Sequence, residues 1–355
     1  MYPRLHAVLL AGSALLASAA LAPARAQQPP SQPTPSQPTT GQPAAGTAGG
    51  GSSSIWTIQE ENASISLSRL TDRYYTNGLR VSWTSPENRY VPGWVHDLGR
   101  ALYGPGSQRV SINIGQSIFT SQNETATTLT PGDWPNSAQL LVTGALIQDT
   151  RLTRSTFAVS LGVTGPLAQG EQMQNGFHDL IGQGHNNGWG DQIHNEPAFE
   201  IQNERIYRYE AGKVFGLETD ILPELTAGIG NVRVYAQTGA TFRIGKGLKS
   251  DFGVSRVRPG LSGGDAYTTV RPLAWYVFAG FDGQAVAHDM AIDGNTFQPG
   301  PSARRVPFVG EFQLGFAVLW HGVRLSYTQI FQSAEIRHQK GGLHEVGSLA
   351  LSVAF

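Results

Sequence analysis

The chain has 355 residues, a formal net charge of −1 and no cysteine. That length holds one large domain or two ordinary ones, and the near-neutral balance gives no ground for a nucleic-acid partner. Without thiols there is no disulfide scaffold, no thiol nucleophile and no Cys-ligated metal.

At the start, Arg4 and His6 precede an apolar run from Ala7 to Leu21, and Ala24-Arg25-Ala26 has the small-x-small form of a cleavage site. Residues 1–26 read as a secretory signal, too short and too Ala-rich for a membrane anchor. Residues 27–54 are Pro, Gln, Thr, Gly and Ser with almost nothing to bury, which predicts a flexible tether. Downstream of Ser54 no stretch approaches the roughly 18 apolar residues of a spanning helix.

From Ile55 onward the pattern has a period of two. Phe157, Val159, Leu161 and Val163 alternate with Ala158, Ser160 and Gly162, and Phe312, Leu314, Phe316, Val318 and Trp320 alternate with smaller partners. Thirteen strand candidates follow in order: Ile55 to Leu67, Tyr75 to Thr84, Arg109 to Ile118, Ser137 to Gln148, Arg154 to Val163, Pro197 to Tyr209, Leu222 to Gly228, Val232 to Ile244, Pro272 to Phe281, Gln284 to Ile292, Pro307 to Trp320, Val323 to Gln332 and Glu345 to Phe355. A soluble sandwich also alternates. The export signal, strand lengths near those that cross a bilayer, aromatic residues near strand ends and a last strand closing on Phe355 point instead to an all-β transmembrane antiparallel barrel over residues 55–355 in a bacterial outer membrane. Closure with both ends in the periplasm needs an even number, so the short Leu222 to Gly228 segment is merged or dropped, giving twelve strands.

If the first strand rises from the periplasm, Ser68 to Tyr74, Phe119 to Asn136 and Gly170 to Glu196 share the extracellular rim. The last is a polar break whose residues near 170–182 suit a short helix. There Glu171, Gln174 and His178 fall at i, i+3 and i+7, on one helix face. His185 and His194 stand nearby, but Gly-rich sequence separates them from His178 and the spacing fits no helical zinc pair.

Glu61-Asn62-Ala63 lies near the outer end of the first strand, and Thr71-Asp72-Arg73-Tyr74-Tyr75-Thr76-Asn77-Gly78-Leu79-Arg80 follows the first turn. With Leu161-Gly162-Val163-Thr164-Gly165-Pro166, the Gln174-Asn175 to His178 run, Gly188-Trp189, Asp191-Gln192 and Asn195-Glu196, the chain resembles the lipid A deacylase family of outer-membrane barrels. The resemblance covers nearly the whole mature chain. It implies a twelve-stranded barrel that removes an ester-linked acyl chain from lipid A of lipopolysaccharide, with its site between the barrel wall and a short helix at the outer-leaflet end. It also implies His178 as the base, with Asn62, Thr76 and Gln174 as further site residues and a divalent cation, calcium, as cofactor.

That chemistry is reasonable for these residue types. A neutral imidazole can take a proton from water, a hydroxyl such as that of Thr76 can orient water or substrate, and calcium takes oxygen ligands, which Asn62 and Glu61 could supply. The chain departs from the family pattern where Ala63 replaces an aspartate, and where Asp133-Trp134-Pro135-Asn136 replaces a stretch carrying an arginine. Two other readings stay open: a non-catalytic barrel of the same fold that has lost its cation site, and a passive pore. A membrane-embedded monomer acting on lipopolysaccharide is the expected assembly.

Overall fold

A computed structural model describes residues 53–67, 73–257, 264–269 and 272–355. The expected signal (1–26) and all but the last two residues of the expected tether (27–54) lie outside the described residues.

The period-two segments pair into one antiparallel sheet. Its strands are β1 (Ile55–Asn62), β2 (Tyr74–Thr84), β3 (Ser107–Thr120), β4 (Ser137–Asp149), β5 (Thr153–Thr164), β6 (Glu196–Tyr207), β7 (Tyr209–Val214), β8 (Leu217–Gly230), β9 (Arg233–Lys246), β10 (Leu273–Asp289), β11 (Phe308–Trp320), β12 (Val323–Gln332) and β13 (His344–Ala354). β1 pairs with both β2 and β13, and β6 pairs with β8, so the sheet closes on itself. β7 prolongs β6 past Arg208 and pairs with the start of β8, so the two form one stave and the barrel has twelve.

The count of twelve holds, but the merge falls elsewhere. The segments predicted at Pro272 to Phe281 and Gln284 to Ile292 merge into one strand, β10, which is paired without a break across Asp282 and Gly283 and gives way to a helical turn at Met290. Leu222 to Gly228 is the middle of a full strand, β8. The first strand stops at Asn62 rather than Leu67, because Asn62 accepts a hydrogen bond from the Ser64 amide and caps a 3-10 turn over Ala63–Ile65.

Both ends of the described chain lie at one rim, which carries 85–106, 150–152, 215–216, 321–322 and the bases of the connection between β9 and β10. The distal rim carries 63–67, 121–136, 165–195, 231–232, 290–307 and 333–343. The wall is turned inside out relative to a soluble protein. Trp56, Ile112, Ile114, Val142, Phe199, Phe242, Phe281 and Phe312 are exposed on its outer surface, while Gln59, Arg80, Thr143, Ser160, Glu204, Arg243, Gln313 and Arg324 are buried. That is the partition a bilayer imposes on a barrel.

Among the described residues, ion pairs and apolar clusters occupy the lumen, which weighs against the pore reading. After β9, the described residues 247–257 and 264–269 fold inward from the terminal rim. Arg256 pairs with Glu61 (2.9 Å) and Glu311 (3.3 Å), and Asp265 pairs with Arg80 at 2.5 Å while also accepting from Ser82 and Ser255. Val257 reaches an apolar cluster of Tyr74, Tyr75, Phe119, Trp134, Ile292, Ile330 and Val346 that closes the distal mouth. At the other end Ile55, Leu248, Val254, Tyr267 and Tyr276 pack together.

Removing one member of a buried pair strands the other charge, at a cost of about 3–5 kcal/mol. Arg80→Met is therefore expected to lower the unfolding midpoint in detergent by an amount in that range, and Arg80→Met with Asp265→Leu to recover most of the loss, as read by denaturant titration.

Candidate active site

Asn62 and Thr76 on the strands, and Gln174 and His178 on the helix outside them, lie on the outer side of the wall at the distal rim, and Glu61 does not. Strand parity decides this. In β1, Gln59 and Glu61 face the lumen and Trp56, Glu60 and Asn62 face outward, because successive side chains alternate. Glu61 is fully buried: its carboxylate accepts from the Arg256 guanidinium, the Val257 amide (2.8 Å) and the Tyr75 hydroxyl (3.2 Å). The expectation that Glu61 joins Asn62 at a cation is corrected here, since the two point to opposite sides of the sheet. Glu60 is the carboxylate on the side of Asn62, and it accepts from Asn77 Nδ2 at 3.2 Å.

Thr76 reaches the outer surface through a β-bulge. The β2–β3 register slips between Tyr75 and Asn77, so Tyr75 stays inside against Phe119 while Thr76 turns outward and meets Thr120 hydroxyl to hydroxyl at 2.5 Å. Asn62 stands opposite Asn77 in the β1–β2 register, one strand spacing of about 5 Å from the bulge.

The expected helix is present as α2 (Gly170–Ile181), lying against the lipid side of the wall. Gly170 permits this, because a Cβ there would stand 2.6 Å from both Ala138 Cβ and the Trp189 ring. Trp189 packs with Ile118, Ala138 and Ala168, and Gln116 donates to the Ala168 carbonyl at 2.6 Å, fixing the segment over β3 and β4. Gln174 points at this contact and accepts from Trp189 Nε1 at 2.9 Å. Ile118 lies two residues before Thr120 on the same side of β3. Thr76, Thr120, Trp189, Gln174 and the next turn of α2 are thus successive features of one surface.

His178 occupies that next turn and is 3 % exposed. Past it, left-handed Gly182 reverses the chain, Gln183 N donates to the His178 carbonyl, and the Gly184 carbonyl comes to 2.6 Å from the ring Nδ1. A carbonyl can only accept, so Nδ1 carries the proton and Nε2 is the basic nitrogen of the neutral ring.

Several polar residues that the sequence marked serve the scaffold. Asp191 accepts from the Leu129 amide, Asn195 from the Leu167 amide, and Glu196 from the Thr296 and Phe297 amides, so each ties loops together. The three histidines go separate ways: His185 pairs with Asp179 at 2.8 Å and His194 Nδ1 lies 3.0 Å from the Pro299 carbonyl. Sequence reasoning missed the clasp in which Asn175 and Asn186 exchange two hydrogen bonds and Asn186 accepts from Asn136. An asparagine-rich pair of loops was the available signal. Trp134 is fully buried and stacked on Phe119 at 5.8 Å, which makes it part of the apolar closure of the mouth.

The cation fares poorly as a fit. Asn62 Oδ1 already accepts from both the amide (2.7 Å) and the hydroxyl (2.5 Å) of Ser64, Glu61 is committed inside, and Ala63 offers no ligand. Among the described residues, His, Asp and Glu side chains form no group of three suited to a metal ion.

The family model for the outer membrane protein LpxR matches residues 10–355. Of solved structures, LpxR from Salmonella typhimurium superposes with a TM-score of 0.69 at 22 % identity, over 85 % of this chain and 100 % of that one, a likeness of fold. The beta domain of the Bordetella autotransporter BrkA gives a TM-score of 0.41 at 11 % identity, over 86 % and 99 % of the two chains, too distant to bear on the site. No curated protein matches. With a family model matched over nearly its whole length and a closed barrel to go with it, this chain belongs to the LpxR family of outer-membrane proteins.

Proposed function

We propose that the protein is an outer-membrane ester hydrolase that removes an ester-linked acyl chain from lipid A, using water activated by His178. The observation that carries this reading is the histidine itself: buried on the face of α2 that also carries Gly170 and Gln174, with its tautomer fixed by the Gly184 carbonyl. Family membership supplies the substrate class.

In the proposed step, His178 Nε2 takes a proton from water as the water oxygen adds to the ester carbonyl. The tetrahedral adduct collapses by breaking the bond to the sugar oxygen, and the imidazolium returns its proton to that oxygen, releasing a fatty acid and a hydroxyl. Thr76 and Thr120 orient the reacting groups by hydroxyl hydrogen bonds. Gln174 positions α2 through Trp189. No step is routed through calcium, because Asn62, Glu61 and Ala63 do not form a ligand set.

A second reading is favoured by that same feature: a barrel that keeps the fold and binds lipid without cleaving it. Incubating the purified barrel with lipopolysaccharide and weighing the lipid A by mass spectrometry separates the two. The hydrolase reading expects loss of one acyl mass, with His178→Ala slowing it by about 10²–10⁴-fold. No acyl loss from the native chain, together with loss in Ala63→Asp supplied with calcium, establishes the second reading.

Chelation gives an independent check. With no calcium ligand set around Asn62 among the described residues, a chelator is expected to change the native rate by less than about twofold, and abolition of the rate contradicts this.

A further inference from the structure

The connection 85–106 contains a second helix laid on the outside of the wall, α1 (Gly93–Tyr103), at the terminal rim. It crosses the staves. Gln108 of β3 donates to the His96 carbonyl, Gln148 of β4 to the Gly104 carbonyl, and Tyr103 donates to Asn203 of β6 at 2.5 Å. Three strand spacings are about 14 Å and eleven helical residues about 16 Å, so the helix runs along the rim rather than along the strands. Gly99 allows the close approach, since a Cβ there would meet Gln108 Nε2 at 2.5 Å and Gln148 Oε1 at 2.9 Å.

The helix therefore has three sides. Val95, Gly99 and Tyr103, spaced by four, face the wall. Trp94, Leu98 and Leu102, also spaced by four, form the next stripe, with Trp94 72 % and Leu102 46 % exposed. Asp97 and Arg100 are exposed on the remaining side. An apolar stripe left uncovered beside a charged one is the pattern of a helix lying in a membrane interface.

The bilayer is the occupant because this stripe continues an interface the barrel already has. Directly above α1, Ile112, Ile114 and Val142 of β3 and β4 are exposed on the lipid side, and above them Ala168 and Trp189, which flank α2 in sequence, cover Ile118 and Ala138 of the same two strands. From Gln108 under α1 to Ile118 under Trp189 is ten residues, about 34 Å of strand, or about 26 Å of height at a tilt near 40°. That matches the apolar band of about 25 Å expected of an outer-membrane barrel. We infer that α1 is an interfacial anchor, seated at the boundary of hydrocarbon and headgroups in the phospholipid leaflet at the terminal rim, with Trp94, Leu98 and Leu102 in contact with lipid.

The chain has no cysteine, so single sites can be labelled cleanly. Trp94→Cys, Leu102→Cys, Asp97→Cys and, as a reference on the lipid-facing wall, Ile112→Cys are each labelled with an environment-sensitive fluorophore in vesicles of phosphatidylcholine with or without brominated acyl chains. Heat-modified electrophoretic mobility verifies that each barrel is folded. Labels at 94 and 102 are expected to lose about half their emission to brominated lipid, as at 112, while the label at 97 responds to aqueous iodide instead. The inference is overturned if 94 and 102 respond to iodide as strongly as 97 and ignore brominated lipid. It is equally overturned if their emission follows the protein-to-lipid ratio, which would make a second copy of the chain the occupant.

Discussion

Inside a bilayer every backbone amide and carbonyl needs a partner within the protein, and a sheet meets that demand only by closing on itself. The β1–β13 and β6–β8 pairings achieve closure, and the rest of the structure follows. A closed sheet has two surfaces that share no side chain, one wetted by lipid and one facing the lumen. Neighbours in sequence are then strangers in space. Glu61 is an internal anchor for Arg256, while Asn62, the very next residue, belongs to the outer surface.

The lumen surface is polar and solves its own problem. Its charges would be costly if left unpaired, and Asp251, Arg256 and Asp265, between β9 and β10, meet Arg243, Arg324, Glu61, Glu311 and Arg80. Apolar clusters close both ends of this packed interior. The barrel is thereby a rigid support, and any chemistry on lipid must occur on its outside. The two wall-hugging helices, one at each rim over β3 and β4, flank the apolar band where lipid would lie.

Much of this was legible in the sequence, and the failures have physical causes. Alternation gave the barrel and its strand count. It misplaced the merge because Asp282-Gly283 carries a turn signal and Pro223 discourages a strand, yet Asp282 and Gly283 are paired on both sides, to Gly239 and Thr238 and to Glu311 and Gly310. The helix near residues 170–182 was readable from its spacing. That the Thr76 side chain lies outside was not, because a bulge reverses the local parity and a bulge leaves little trace in composition. The pairing of Glu61 with Asn62 as ligands failed for the opposite reason: regular parity does hold there, and it separates them. Asp191, Asn195 and Glu196 were marked by polarity, but their partners are backbone amides in distant loops that a linear reading cannot see.

The central claim is that the reactive surface opens to lipid and not to the lumen. The most direct test places a photo-crosslinking amino acid at Met173, exposed on α2, and separately at Gln59, buried in the lumen. After irradiation in the outer membrane, lipopolysaccharide adducts are sought by mass. The account predicts adducts from position 173 and none from position 59; adducts from 59 with none from 173 would contradict it.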